Sequence, residues 1–240
     1  MKKLFASLAL AGALAVPMTA SAFVLGGTTP GKWGNPAFGT GATVTWSLMP
    51  TNTSCAQEFA GCTITSLASF MPAGYLAQIQ AAFSAWSAVA NLTFVQVADD
   101  GAAFNTATTS GDIRLGGHTF DGAFGVLAHG FFPPNNGSTA AGDIHFDNAE
   151  NWVIGFPGPG IDIFQVTAHE LGLALGLDHT AVPNSLMNPA YSEDFTGPQA
   201  DDIAGMRFIY GPALAVPEPA SLAMMGLGVA ALLMRRRRSA

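Results

Sequence analysis

His169-Glu170-Leu171-Gly172-Leu173-Ala174-Leu175-Gly176-Leu177-Asp178-His179 is the stretch whose reading decides the fold. Its apolar spacing predicts a helix over Gln165–Leu175, with Gly172 inside it. Gly176 then permits a sharp turn that lets His179 come back towards the helix. The segment is in register with the pattern H-E-x-x-H-x-x-G-x-x-H at His169, Glu170, Gly176 and His179. In that pattern two histidines one helical turn apart hold zinc, a third closes the site, and the glutamate serves as general base. Leu173 stands where the second histidine belongs. Leucine cannot ligate, whereas a catalytic zinc usually has three protein ligands and a water. Asp178, or a carboxylate from elsewhere, is the candidate stand-in. A packed helix with incidental His and Glu is the alternative reading.

Downstream, Ser185-Leu186-Met187-Asn188-Pro189-Ala190-Tyr191 places Met187 eight residues after His179. A turn there would lay Met187 as an apolar floor beneath the site, with Pro189 and Tyr191 lining a neighbouring pocket. Upstream, residues 111–133 and 142–150 supply His118, His129 and His145, a zinc-competent set of imidazoles. They also supply Asp121, Asp147 and Glu150, hard oxygen donors suited to calcium, and Asp112 and Asp143 as a second such pair.

The composition agrees with bound cations. The chain has 240 residues and a net charge of -7. Residues 23–215 hold Lys32, Arg114 and Arg207 against fifteen acids, a net -12, while the two ends are basic. So acidic a body excludes nucleic-acid binding, which depends on cations that displace phosphate counterions. On charge alone, an acidic solvated surface without metals is the simpler reading. Residues 1–22 read as a secretory signal: Lys2 and Lys3, an apolar run from Leu4 to Val16, and Ala20-Ser21-Ala22 for cleavage. Residues 213–240 pair Val216-Pro217-Glu218-Pro219 with a short apolar run and Arg235 to Arg238. That run is too short for a relaxed membrane span, which takes roughly 20 residues. Export permits a disulfide, and Cys55 and Cys62 are expected to form a local one.

Between the ends the periodicity predicts an α/β or α+β body. Strands are expected at Ala42–Leu48, Leu92–Val97, Asp112–Leu115, Val126–Phe131 and Asp143–Phe146. Helices are expected at Tyr75–Ala90, Gln165–Leu175 and Gln199–Tyr210. Residues 24–41 read as an extended arm and 50–74 as a loop.

Residues 23–211 resemble the matrixins, the catalytic domains of matrix metalloproteinases. The resemblance rests on FVL at the start, AFSAWSAVANLTF, FDGAFGVLAHGFFP, GDIHFDNAE, the HELG helix, SLMNPAY and DDIAGMRFIYG. It implies a metzincin fold over 23–212: a twisted, mostly parallel five-stranded sheet with three helices. It also implies a catalytic zinc at His169 and His179 with Glu170 as base, a structural zinc, and calcium ions. By position, His129 and His145 match structural-zinc ligands, and His118 is the candidate for a missing family partner. Asp121, Asp147 and Glu150 match calcium ligands, with Gly122, Phe124 and Val126 as carbonyl donors; Asp112 and Asp143 match a second calcium. Leu127 and Ala128 match the strand that pairs with extended substrate. In mature relatives the new N-terminal ammonium meets an Asp of the last helix, so Phe23 is expected to pair with Asp201 or Asp202. The C-terminus resembles a PEP-CTERM sorting signal, which implies an exosortase-type protease as partner and a membrane tether confined to that segment. The resemblance thus implies an exported zinc endopeptidase, expected to be a monomer; Leu173 supports the rival, a peptide-binding pseudoprotease.

Overall fold

The computed structural model describes residues 23–134 and 138–214; the expected signal peptide and sorting segment lie outside them. Strand β1 is Val24–Leu25, β2 Ala42–Leu48, helix α1 Tyr75–Val89, β3 Leu92–Gln96 and β4 Ile113–His118. There follow β5 Ala128–Gly130, β6 Ile144–Asp147, a small pair β7 Trp152–Val153 and β8 Ile161–Asp162, helix α2 Ile163–Ala174, β9 Leu177–Asp178 and helix α3 Ala200–Tyr210.

The main sheet has five strands in the order β3-β2-β4-β6-β5. All its pairings are parallel except β5 with β6, which is antiparallel and leaves β5 at an edge. Successive side chains of a strand point to opposite faces. Ile113 and Leu115 of β4, Ile144 and Phe146 of β6 and Ala128 of β5 therefore join the helices in the main core. The intervening residues Arg114, Gly116, His118, His129, His145 and Asp147 fall on the other face. That second face is covered by the loop after β2, through a small core of Met49, Cys55, Cys62, Ile64 and Phe104. Cys55 and Cys62 form the expected disulfide. On the same face Arg114 makes a buried two-pronged pair with Asp99, at 2.8 and 2.9 Å.

Helix α2 is held by aromatic donors from three directions. The Trp86 indole of α1 donates to the Ala168 carbonyl (2.9 Å), Trp33 of the N-terminal arm to that of Ala174 (2.8 Å), and the Tyr210 hydroxyl of α3 to that of Leu175 (2.9 Å). The last two satisfy carbonyls that a helix C-terminus leaves orphaned. Beside them Lys32 is fully buried, its ammonium donating to the carbonyls of Trp33, Asn35 and Thr40 and lying 4.9 Å from the centre of the Tyr210 ring. Gly176 follows with φ +107°, and a Cβ there would lie 2.1 Å from the Gly31 carbonyl oxygen. Only glycine fits the turn. β1 then pairs with β9 (Val24 opposite Asp178), so the arm clamps the segment that delivers His179.

Three expected bounds move for local reasons. Helix α2 starts two residues early because Asp162 caps it, accepting from Gln165 N–H at 2.8 Å. The β5 strand is shorter at its start because Val126 N–H is taken by Asp121. The strand expected from Asp112 runs on to His118, where β6 pairs with it. Among the described residues no helix is long and apolar enough to cross a membrane.

Candidate metal centres and substrate cleft

A cleft of about 520 Å³ runs between the β5 edge and α2, lined by Val126, Leu127, Ala128, His169, Glu170, His179, Pro189 and Tyr191 among others. His169 Nδ1 lies 2.6 Å from the Leu186 carbonyl, which can only accept, so Nδ1 carries the proton. The neutral ring then presents a lone pair at Nε2, and that atom faces His179 Nε2 at 3.1 Å. Tetrahedral zinc with 2.0–2.1 Å bonds to nitrogen has ligand–ligand edges of about 3.3 Å. The pair therefore fits two corners of a zinc site.

The third corner is missing. Leu173 is 7% exposed and belongs to the main core. Asp178 does not replace it, since its Oδ1 accepts from its neighbour's backbone, His179 N–H, at 2.7 Å. Among the described residues no further His, Cys, Asp or Glu completes a ligand group with this pair. Glu170 sits beside it, buried, with Oε2 lacking a hydrogen-bond partner. Burial pushes its carboxyl up to about 8. Burial also pushes His169 down to about 4, which keeps the imidazole neutral and able to ligate.

Met187 is buried under α2: a Cβ at Gly172 would lie 2.3 Å from its sulfur. This turn is organised by Asp202, 1% exposed, whose carboxylate accepts from Ser185 Oγ, Leu186 N–H (2.8 Å), Met187 N–H (3.1 Å) and Gln199 N–H (2.7 Å). Asp202 is thus committed to the turn and is set aside as a partner for Phe23. Phe23 itself packs its ring near Gly205 and against Phe208, 5.6 Å between ring centres.

At the cleft edge, Asp147 N–H donates to the Leu127 carbonyl and Phe131 N–H to that of Asp143. Alternation then turns the backbone groups of Ala128, not those of Leu127, away from β6. The Tyr191 hydroxyl accepts from Asp162 N–H at 3.0 Å and donates to Glu193 at 3.2 Å.

The second cluster lies on the other face of the sheet, beneath the disulfide loop. It contains a residue that the motifs did not reveal, Glu58. Its Oε1 is 3.0 Å from His118 Nε2 and 3.1 Å from His129 Nε2, and its Oε2 is 2.8 Å from His145 Nδ1. The four candidate ligand atoms lie within 4.8 Å of one another. His118 Nδ1 is 3.1 Å from the Thr119 carbonyl, so its Nε2, when neutral, aims a lone pair at a carboxylate. A cation between them resolves that repulsion. Burial opposes charge on Glu58; where the imidazoles turn N–H groups to it instead, these hydrogen bonds outweigh burial and hold the carboxyl far below the carboxylate range. His145, fully buried, is pushed down to about 4 by burial. The signal for Glu58 was slight: it is the one carboxylate between the two cysteines.

The candidate calcium residues also converge, with one change. Residues 121–126 fold around three carboxylates: Gly122 N–H donates to Asp147 (3.3 Å), Phe124 N–H to Glu150 (2.7 Å) and Val126 N–H to Asp121 (3.1 Å). Asp143 is fully buried with neither oxygen hydrogen-bonded, and burial raises its carboxyl well above the ordinary value. Such a group calls for a proton or a cation. The Asp112 carboxylate, by contrast, is taken by Thr45 N–H and hydroxyl at 2.8 Å each. It is the Asp112 carbonyl that lies against Gly142, where a Cβ would be 2.5 Å away. The Asp112 carbonyl and the Asp143 carboxylate are therefore the oxygen donors that this pair offers.

The C-terminal residues 215–238 match the PEP-CTERM protein-sorting motif. Karilysin from Tannerella forsythia is 38% identical over 144 residues, 60% of this chain and 30% of its own length. Human matrix metalloproteinase-20 is 39% identical over 139 residues (56% of this chain, 27% of its own), and the hatching enzyme of Paracentrotus lividus 42% over 144 residues (56% and 22%). The chain thus spans less than a third of the length of these relatives. Residues 62–211, more than half of the chain, match the matrixin family model, and with the three-helix, five-stranded α/β fold this shows that the chain belongs to the matrixin family of zinc metallopeptidases.

Proposed function

We propose that the chain is an exported zinc endopeptidase that cleaves extended protein substrates. The observation that carries this reading is the His169–His179 pair, 3.1 Å apart in a cleft beside the buried Glu170. The outward backbone groups of Ala128 would pair with an extended peptide by adding it as a strand. Glu170 would take a proton from the attacking water and return it to the leaving amine; burial alone favours its protonated form, and a cation bound beside it would favour the carboxylate that a base must be. Zinc held by His169 and His179 would polarise the scissile carbonyl and acidify the attacking water. The three clustered histidines would hold a second, structural zinc. Asp121, Asp147 and Glu150 would hold one calcium, with carbonyls of residues 122, 124 and 126, and Asp143 another.

Leu173 supports a second reading, a peptide-binding pseudoprotease. A zinc-dependent peptidase assay on wild type, Glu170→Ala and Leu173→His separates the two. Wild-type cleavage that disappears in Glu170→Ala is the expected result. Cleavage confined to Leu173→His would establish the second reading.

The sorting motif supports export and association with the cell envelope, and signal cleavage would expose Phe23. With Asp202 committed, we assign the new ammonium to Asp201, on α3 one turn before the Gly205 that Phe23 packs against. An extra residue before Phe23 should lower the melting temperature by about 2–4 °C, matching loss of roughly 1 kcal/mol. An unchanged melting curve would exclude the pairing.

A further inference from the structure

We propose that the Cys55–Cys62 disulfide is a redox gate on metal retention, because it positions Glu58 as the fourth ligand of the three-histidine cluster. This rests on the reading of that cluster as a zinc site. His118, His129 and His145 come from the sheet, whose pairing fixes them: His129 is opposite His145, and β4 and β6 are adjacent. Glu58 comes from outside the sheet. It sits in a short loop whose ends are joined by the disulfide and by the bonds Cys55 N–H to Cys62 O (3.1 Å) and Cys62 N–H to Phe59 O (3.1 Å). Of the six residues between the cysteines, Glu58 alone is not exposed. The loop therefore has one inward side chain, and it ends among the three imidazoles.

The spacings let the four groups converge on one ion. Glu58 Oε1 lies 3.0 and 3.1 Å from His118 and His129, its Oε2 2.8 Å from His145, and His129 is 3.3 Å from His145; the four candidate ligand atoms all lie within 4.8 Å of one another. Three neutral imidazoles leave zinc its full double charge, and the carboxylate offsets part of it. Without the staple the loop gains conformational freedom, and Glu58 must be ordered again each time it ligates. The cluster then retains zinc under oxidising conditions and releases it more readily under reducing ones. Because β5 carries His129 on this face and Ala128 on the cleft face, release would also loosen the wall along which substrate is expected to lie.

The test is a zinc titration against a chromogenic chelator, using the domain with its disulfide intact. Assignment comes first: a tight class of zinc should be present and should vanish in His145→Ala. Reduction with a trialkylphosphine then breaks the S–S bond. The phosphine supplies two electrons and takes oxygen from water as its oxide, and the two protons of that water end on the two sulfurs as thiols. Affinity for the tight zinc should fall about 10–100-fold, the range seen when a group that orients a metal ligand is lost. The Cys55→Ala/Cys62→Ala double variant should match the reduced protein, which excludes zinc capture by the new thiols. Glu58→Gln should be weakened similarly and should no longer respond to the phosphine. Unchanged affinity on reduction, or an equal response in Glu58→Gln, would overturn the gate while leaving the zinc site standing. Absence of the tight class, or its survival in His145→Ala, would overturn the zinc site and the gate with it.

Discussion

Leu173→His should raise zinc affinity at the cleft at least about 100-fold, since loss of a group that only orients a ligand already costs 10–100-fold. The backbone is ready for it. Residue 173 lies four positions after His169 within the twelve-residue α2, so the two side chains share a helix face. Gly130 of the neighbouring β5 has no side chain, which leaves room beside residue 173. His169 Nε2 and His179 Nε2 already stand a tetrahedral edge apart. The variant should cleave peptides at zinc concentrations where the wild type is metal-free, and the gain should vanish in Leu173→His/Glu170→Ala. It should also melt lower without metal, because a buried leucine contributes about 1.5–3 kcal/mol. Equilibrium dialysis with zinc and a fluorogenic peptide read both effects. Unchanged affinity would show that the helix face does not meet the metal position.

Asp202→Ala should be the most destabilising single change near the site. The Asp202 carboxylate answers the Ser185 hydroxyl and the Leu186 and Met187 N–H groups in a buried turn, and the part-buried N–H of Gln199 at the start of α3. Hydrogen bonds to a charged group contribute about 1.5–3 kcal/mol each, and these overlap, so a loss of about 3–5 kcal/mol is expected. For a domain of this size that is a fall in melting temperature of about 6–20 °C. The Leu186 carbonyl that fixes the His169 tautomer belongs to the same turn, so peptidase activity and zinc affinity should fall with it. Asp202→Asn keeps an acceptor oxygen but turns an N–H₂ towards backbone donors, and should fall between the two. A melting temperature within about 2 °C of wild type for Asp202→Ala would refute this account of the turn.

The parts of the molecule legible in the sequence were those set by local periodicity. The alternation from Ala42 to Leu48 matches β2, and the apolar stripe from Tyr75 matches α1 to within one residue. His169, Glu170 and His179 were legible because one helix and one turn carry all three. What stayed hidden depends on distant chain segments. Glu58 is 60 residues from His118 and 87 from His145, and nothing at those separations leaves a spacing to read. The partner of the Asp112 carboxylate, Thr45, is likewise 67 residues away on another strand. The cap at Asp162 was local, but an Ile-Asp-Ile run reads as strand and hides it.

Two of the body's three cations are spent inside the molecule. Lys32 is fully buried and Arg114 is 1% exposed, so among the described residues Arg207 is the only Lys or Arg that faces solvent. Six of the fifteen acids, Asp143, Asp147, Glu150, Asp162, Glu170 and Asp202, are buried as well, and cations held at the proposed centres would offset part of their charge. The charged groups that an approaching molecule meets at the surface are still mostly carboxylates, which favours partners that are not themselves acidic. Their field fades over about 8 Å at physiological ionic strength and reaches farther in dilute media. Burying Lys32 against carbonyls and an aromatic ring therefore shapes the molecule's long-range electrostatics as well as its packing.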